Sequence, residues 1–342
     1  MKNPNYIGRT ANAAVVAAIL AATHVPAYAG TPLSHGLITA APDVTANASM
    51  FEQAHYSEPM TQYATGWTDA DNLDAICEFL APSLLPSGEL YEHTLYPNAE
   101  SFLSDEADDD LRPIDSDFKT IEITESKQRR SIPNRGLRIV VDYERVKNTP
   151  NWQQLYTARI MQRLQRNAFR RKYALGVAAG AAAALTWDSS SDPDYDLANQ
   201  AKLCGDSSGI APNRALWGLA AKLARFSAYG GSNTAKAMAG RSLSPEEACS
   251  KIGLDARVSE SRYQTGATKT AIAGAKILLF SAYGQSGEDS SNFKTARGVT
   301  QQGGRYAVYV RQLSVKFWEI VVECYETEFC ATTLGCRTLT IS

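Results

Sequence analysis

TPNWQQLYTARIMQRLQRNAFRRKYALGVAAGAAAA, residues 149–184, carries the clearest helical signal in the chain. Thr149 is suited to N-cap it, and Pro150 fits the first helical position, where a missing N–H is no loss. No further proline occurs until Pro193. The spacing predicts a helix to about Ala184, a rod of roughly 50 Å at 1.5 Å per residue. Ile160, Met161, Leu164, Ala168 and Leu175 fall on one side as a packing face. Arg159, Arg163, Arg166 and Arg170, spaced by four, three and four residues, form a stripe on roughly the opposite side. The Ala-rich end from Ala174 has almost no bulk and lets another backbone approach closely.

Upstream, Tyr91 to Arg145 reads as strands. Ile121 and Ile123 alternate with polar residues, as do Leu137, Ile139, Val141 and Tyr143. Between them Gln128–Gly136 reads as a basic, turn-rich connection, and the acidic run Ser104–Asp110 precedes them. This describes a long two-stranded arm with charged ends. An isolated hairpin is marginal in water, so the expectation is that it lies across a neighbour. Earlier still, Thr68–Asp71 opens a short amphipathic helix through Leu73, Ile76, Phe79 and Leu80, ended by Ala81-Pro82. Residues 30 to about 70 read as an extended arm.

Downstream, Asp192-Pro193 caps a helix ending near Gly205, Ala211–Gly218 suggests a strand, and Leu219–Phe226 another helix. Ser244-Pro-Glu-Glu247 has the capping-box arrangement, with a stop at Gly253. Strands follow at Ala256–Tyr263, Lys276–Tyr283 and Val315–Tyr325. Helices and strands intermix without repeats, which is α+β.

Bulk composition narrows the function classes. The chain has 342 residues, 44% hydrophobic and 20% charged, ordinary for a soluble globular protein. A net charge of −2 means that any contact with DNA must come from a local basic surface. No apolar run approaches the ~20 residues of a membrane span. At the N-terminus Lys2 and Arg9, the apolar Asn12–Ala22 and then Ala27-Tyr-Ala29 match the plan of a secretory signal, with a mature start at Gly30. The reading adopted is an N-terminal arm with an Ala-rich helical piece; an exported binding protein is the alternative. Six cysteines, at 77, 204, 249, 324, 330 and 336, lack the close spacing of a zinc site and read as buried free thiols.

Taken together, the order of parts resembles the major capsid proteins of tailed bacteriophages, whose shell fold is shared with herpesvirus capsids and encapsulins. Local phrases similar to that family's are Leu80-Ala-Pro82, Leu185-Thr-Trp187, Asp192-Pro-Asp-Tyr-Asp-Leu197, Pro212-Asn213, Arg257–Arg262 and Ile277–Phe280. The resemblance implies an N-terminal arm (1–85), an extended hairpin loop with the first peripheral strands (86–148) and a spine helix (149–186). An axial domain (187–300) and C-terminal peripheral strands (301–342) complete it. It also implies self-assembly into pentamers and hexamers of an icosahedral head around double-stranded DNA, in the virion, after assembly in the host cytoplasm. Portal, scaffold and decoration proteins would be partners, and no membrane or cofactor is involved. An encapsulin-like compartment is the closer alternative. The lysine–asparagine cross-link of some family members cannot be carried onto this chain.

Two charged features are the candidate sites. The stripe Arg159, Arg163, Arg166 and Arg170 is expected either to face packaged DNA or to be a solvated or ion-paired helix face. The acids Asp105, Glu106, Asp108, Asp109 and Asp110 lack a calcium-loop pattern and are expected at a loop tip, solvated or facing Arg129, Arg130 and Arg135 of another copy. No catalytic set assembles. The four histidines, His24, His35, His55 and His93, precede the expected body or sit at its loop entrance. Gly284-Gln-Ser-Gly287 misses the nucleophile elbow by one position, and Gly230–Lys236 lacks a phosphate loop's ending.

Overall fold

In the structure, a computed structural model, the described residues are 55–86, 90–95, 110–112, 114, 117, 118, 120, 126–231, 234–282 and 291–342. Helices α1 (Glu58–Gly66) and α2 (Leu73–Leu80) lead to β1 (Ser83–Leu84), the ribbon strands β2 (Leu90–Leu95) and β3 (Ser126–Ser131), β4 (Asn134–Asp142) and one turn, α3 (Tyr143–Val146). The long α4 (Trp152–Ala179) follows, then β5 (Ala181–Leu185), α5 (Pro193–Ser208), β6 (Arg214–Gly218), α6 (Leu219–Gly230), α7 (Ala235–Ser242) and α8 (Pro245–Lys251). The chain closes with β7 (Asp255–Ser259), β8 (Arg262–Thr265), β9 (Thr268–Ala271), β10 (Lys276–Phe280), β11 (Phe293–Gly298), β12 (Tyr306–Gln312), β13 (Phe317–Cys330) and β14 (Arg337–Ile341).

Two five-stranded sheets organise these elements. In the first, β13 is central: Val322 pairs with Val308 of β12 and with Leu137 of β4, so those strands flank it on opposite edges. Strand β11 takes the far end of β13, and β1 adds parallel to β11. The second sheet runs β5-β14-β10-β6-β7. Helix α4 serves both sheets. Its first half places Ile160 and Met161 against Val308, Ile320 and Val322; its second half places Phe169 and Tyr173 against Leu278, Phe280 and the α2 residues Leu73 and Leu80. The second sheet's other face packs Trp217, Ile277 and Leu279 on Leu197 of α5, Ala221 of α6 and Cys249 of α8. Each fully buried large apolar side chain contributes about 1.5–3 kcal/mol.

Local chemistry sets the helix ends. Asp192 accepts from the Tyr195 N–H at the start of α5, and Gly209 at φ 74 ends it in the left-handed conformation. Ser244 and Glu247 form the reciprocal capping box of α8, as expected from their spacing.

Several expectations need correction. The N-cap of α4 is Asn151, at φ 57, and not Thr149. Thr149 instead donates its backbone N–H to Val146 O and closes α3, so Pro150 lies in the link between two helices. The helix stops at Ala179, which gives 28 residues and about 42 Å. Ala181–Leu185 is strand β5, paired parallel with β14. A Cβ on Gly180 would come within 2.5 Å of Thr338 Oγ1, so only glycine lets the chain meet β14 there. The ladder that follows outweighs the helical preference of alanine.

Residues 58–66, expected in an extended arm, form α1, because Met60 and Ala64 lie one turn apart and bury against α4 and the β13 sheet. The connection Gln128–Gly136 is strand β3, an Ile132-Pro133 link and the start of β4, not a turn. Ala256–Tyr263 divides into β7 and β8, and the C-terminal β14 joins the second sheet while β12 and β13 lie in the first. Ile121 and Ile123, and residues 1–54, lie outside the described residues.

Candidate assembly surfaces

Strands β2 and β3 pair antiparallel from Leu90↔Ser131 to Leu95↔Ser126 and join neither large sheet. Apart from Gln128, β3 is exposed along its length. The root is anchored: Ile132 packs with Ala296, Phe329 and Ala331, and the buried His93 ring lies 4.4 Å from that of Phe329. His93 is therefore a packing residue. Arg129 donates to Glu92 at 2.6 Å across the ribbon, and Arg130 to Gln128 at 3.3 Å. Arg135 sits in β4, donating to Glu326 O and lying 3.7 Å from Glu328. Asp110 is exposed, whereas Asp105, Glu106, Asp108 and Asp109 lie outside the described residues.

On α4, Arg159, Arg163 and Arg170 are exposed, opposite the buried face. Arg159 stacks over Tyr156 at 5.0 Å and Arg170 over Tyr263 at 4.0 Å. Arg166 is committed inside the molecule, 3.3 Å from Asp69 and 3.7 Å from Asp71. The stripe is thus one row of side chains in three different environments.

Sequence reasoning missed the charged clamp behind that row. Arg171 donates to Glu326 at 2.6 Å and to Glu328 at 2.8 Å, tying α4 to β13. Arg305 forks onto Asp74 at 2.6 and 2.9 Å, tying the approach to β12 onto α2. Burial pushes the Asp74 carboxyl up, but the bonds and charge of Arg305 outweigh it and hold the group below the usual carboxylate range. Lys172 is 1% exposed beside these groups. With Asp74, Gln165 and Glu326 it lines a cavity of about 10 Å³, room for about one water. The partners are far apart in sequence; the only signal was charge at positions of α4 and β13 that the apolar pattern would bury.

Exposed apolar side chains include two local groups. Val315, at 87% exposure the most open of the first group, lies with Leu313 and Phe317 at the β12–β13 turn, joined through the Tyr143 N–H to Lys316 O bond to exposed Tyr143. Leu223 and Phe226 of α6 and Met238 of α7 point away from the second sheet. Arg225 between them is buried and makes four hydrogen bonds: it forks onto Asp194 and donates to Leu243 O and Gly240 O, locking α5, α6 and α7 together. Lys236 pairs with Asp192, which absorbs the lysine of the incomplete phosphate-loop pattern.

Among the described residues no His, Cys, Asp or Glu group is placed to hold a metal, and no helix is long and apolar enough to cross a membrane. All six cysteines are free. Burial pushes Cys77 up to about 11 and Cys324 up to about 12, so neither is an activated nucleophile.

No family model matches the chain, and no curated protein matches it. Solved structures do. A phage-related protein from Bordetella bronchiseptica RB50 superposes with a TM-score of 0.60 at 15% identity, over 84% of this chain and 97% of that one. The capsid of the cyanophage P-SCSP1u superposes with a TM-score of 0.50 at 9% identity, over 77% and 86%. At such identities the likeness is one of architecture. The chain has the fold of the tailed-phage major capsid proteins that its sequence resembles.

Proposed function

We propose that this chain is the major capsid protein of a tailed bacteriophage, a structural subunit and not an enzyme, which assembles through pentamers and hexamers into the icosahedral head around double-stranded DNA. The observation that carries the reading is the β2–β3 ribbon. It is six residues per strand as described, belongs to neither core sheet and leaves β3 exposed. A two-stranded ribbon gains little stability alone, so its physical role is contact with a second copy of the chain. The exposed apolar side chains at the β12–β13 turn and on α6 and α7 supply further surface for contact between copies, and many modest contacts add up in a closed shell. Portal, scaffold and decoration proteins are the further partners of such a shell, and its place is the virion.

Sedimentation with negative-stain imaging of the purified chain tests this. Closed megadalton particles are the expected result. A compact monomer at high concentration refutes the proposal, and particles that enclose a protein cargo in place of DNA point to an encapsulin-like compartment.

A further inference from the structure

The four arginines of the stripe are not equivalent. Arg166 is held by Asp69 and Asp71, and the adjacent Arg171 by Glu326 and Glu328. Among the described residues neither Arg163 nor Arg170 has an acidic partner. Arg170 lies over Tyr263, its guanidinium carbon 4.0 Å from the ring centroid. Such a stack fixes the plane of the guanidinium and leaves its in-plane N–H donors available to an anion.

Those donors border a groove of about 510 Å³ between α4 and the β8–β9 hairpin. Asn167, Arg170 and Arg171 line its α4 side, Tyr263 and Ile272 the hairpin side, with buried Tyr173 between. Tyr173 Oη donates to Ala273 O, which joins the two sides. None of the described residues lining it carries a carboxylate.

We propose that this groove seats a phosphodiester of nucleic acid, with Arg170 donating to the non-bridging oxygens and the Asn167 amide adding a donor beside it. The proposal rests on the reading of the stripe as DNA-facing and narrows that reading to one seat. Charge complementarity argues for an anion: an apolar peptide would leave the guanidinium desolvated and unpaired. Arg163 continues the same line two turns away, about 10 Å along the helix axis, so a linear polyanion crossing the groove meets both cations. Because Arg170 covers one face of the Tyr263 ring, the seat holds backbone and does not select sequence.

The test is binding of a short fluorescein-labelled duplex to the full-length chain, followed by anisotropy from about 50 to 200 mM KCl. Each phosphate contact contributes about 0.9 to the slope of log K against log salt. Arg170→Gln is expected to flatten the slope by about that amount. Arg170→Lys, which keeps the charge and loses the fork, is expected to keep the slope while weakening binding several-fold. Tyr263→Ala is expected to do the same, and Lys202→Gln on α5 to change nothing.

An unchanged slope in Arg170→Gln together with a flattened one in Arg163→Gln overturns the groove and leaves the stripe standing. Unchanged slopes in both overturn the two together. Displacement of the duplex by inorganic phosphate as effectively as by unlabelled duplex makes this a free-phosphate seat, and loss of poly-aspartate binding alone in Arg170→Gln assigns it to an acidic protein segment. Either result ends the proposal.

Discussion

Two ion pairs in this molecule have the same length and opposite physics. Arg171 meets Glu326 and Arg129 meets Glu92, each at 2.6 Å. The first joins α4 to β13, with side chains 29% and 8% exposed; the second spans the β2–β3 ribbon, with side chains 82% and 41% exposed. Water and salt screen the ribbon pair, whereas the clamp pair acts in a medium of lower effective dielectric. Distance alone therefore says nothing about what a charge pair holds together. The clamp rests on glutamates shielded from solvent, and the ribbon carries charges free to exchange partners.

Removing Arg171 is the sharpest way to break this contrast. Arg171→Ala takes the shared cation from Glu326 and Glu328, whose side chains are 8% and 7% exposed, and leaves Arg135 at 3.7 Å beside Glu328. The expected cost is ~2–3 kcal/mol, below the full penalty for a buried pair because Arg171 is itself partly solvated. A denaturant melt that moves by less than half of this amount would mean that water reaches the two glutamates.

The reverse deletion sharpens the asymmetry. Glu319 of β13 is 1% exposed, with Arg138 at 3.2 Å and Arg311 against its other oxygen. Those arginines are 71% and 35% exposed, so in Glu319→Ala both can rehydrate. The expected loss is ~1–2 kcal/mol, smaller than for Arg171→Ala although the deleted group is the more buried one.

Acid titrates the clamp without mutation. The Asp74 carboxyl is held below its ordinary value of 3.8 in the folded chain. The stability from that shift is present above about pH 4 and is lost as pH falls through the lower folded value. Chemical denaturation at pH 5 and pH 3 should reveal the loss, and Asp74→Asn should make the curve flatter across that window. An unchanged slope in the variant would remove Asp74 as the acid-sensitive group.

How much of this was readable beforehand follows the range of the interactions. The middle of α4 was legible because Ile160, Met161 and Ala168 repeat at helical spacing, and α8 because its capping box lies within four residues. The C-terminal end of α4 was not, because β5 exists only through its ladder with β14, more than a hundred residues away. The cores of β4, β10 and β13 showed in their apolar patterns, whereas α1 was hidden by a short, small-residue face. The arginine stripe was visible as a row. Its division into committed and uncommitted members was not, since Asp71 and Tyr263 reach α4 only through the tertiary fold. Likewise the Arg171–Glu326 bond spans 155 residues.

The smallest expected effect on the isolated fold, and the most telling for assembly, belongs to the ribbon. Arg129→Ala removes a pair that solvent already competes for, so the melting curve of the unassembled chain should stay within experimental error. If the ribbon reaches a second copy, the same change alters the charge presented there, and the rate of particle formation should fall, with a weaker dependence on salt than the parent chain has. Light scattering during assembly at low and high ionic strength measures both. Arg171→Ala should show the opposite signature, a lower melting point with an assembly rate whose salt dependence is unchanged. Equal effects of the two variants on folding and on assembly would mean that the ribbon and the clamp belong to one cooperative unit.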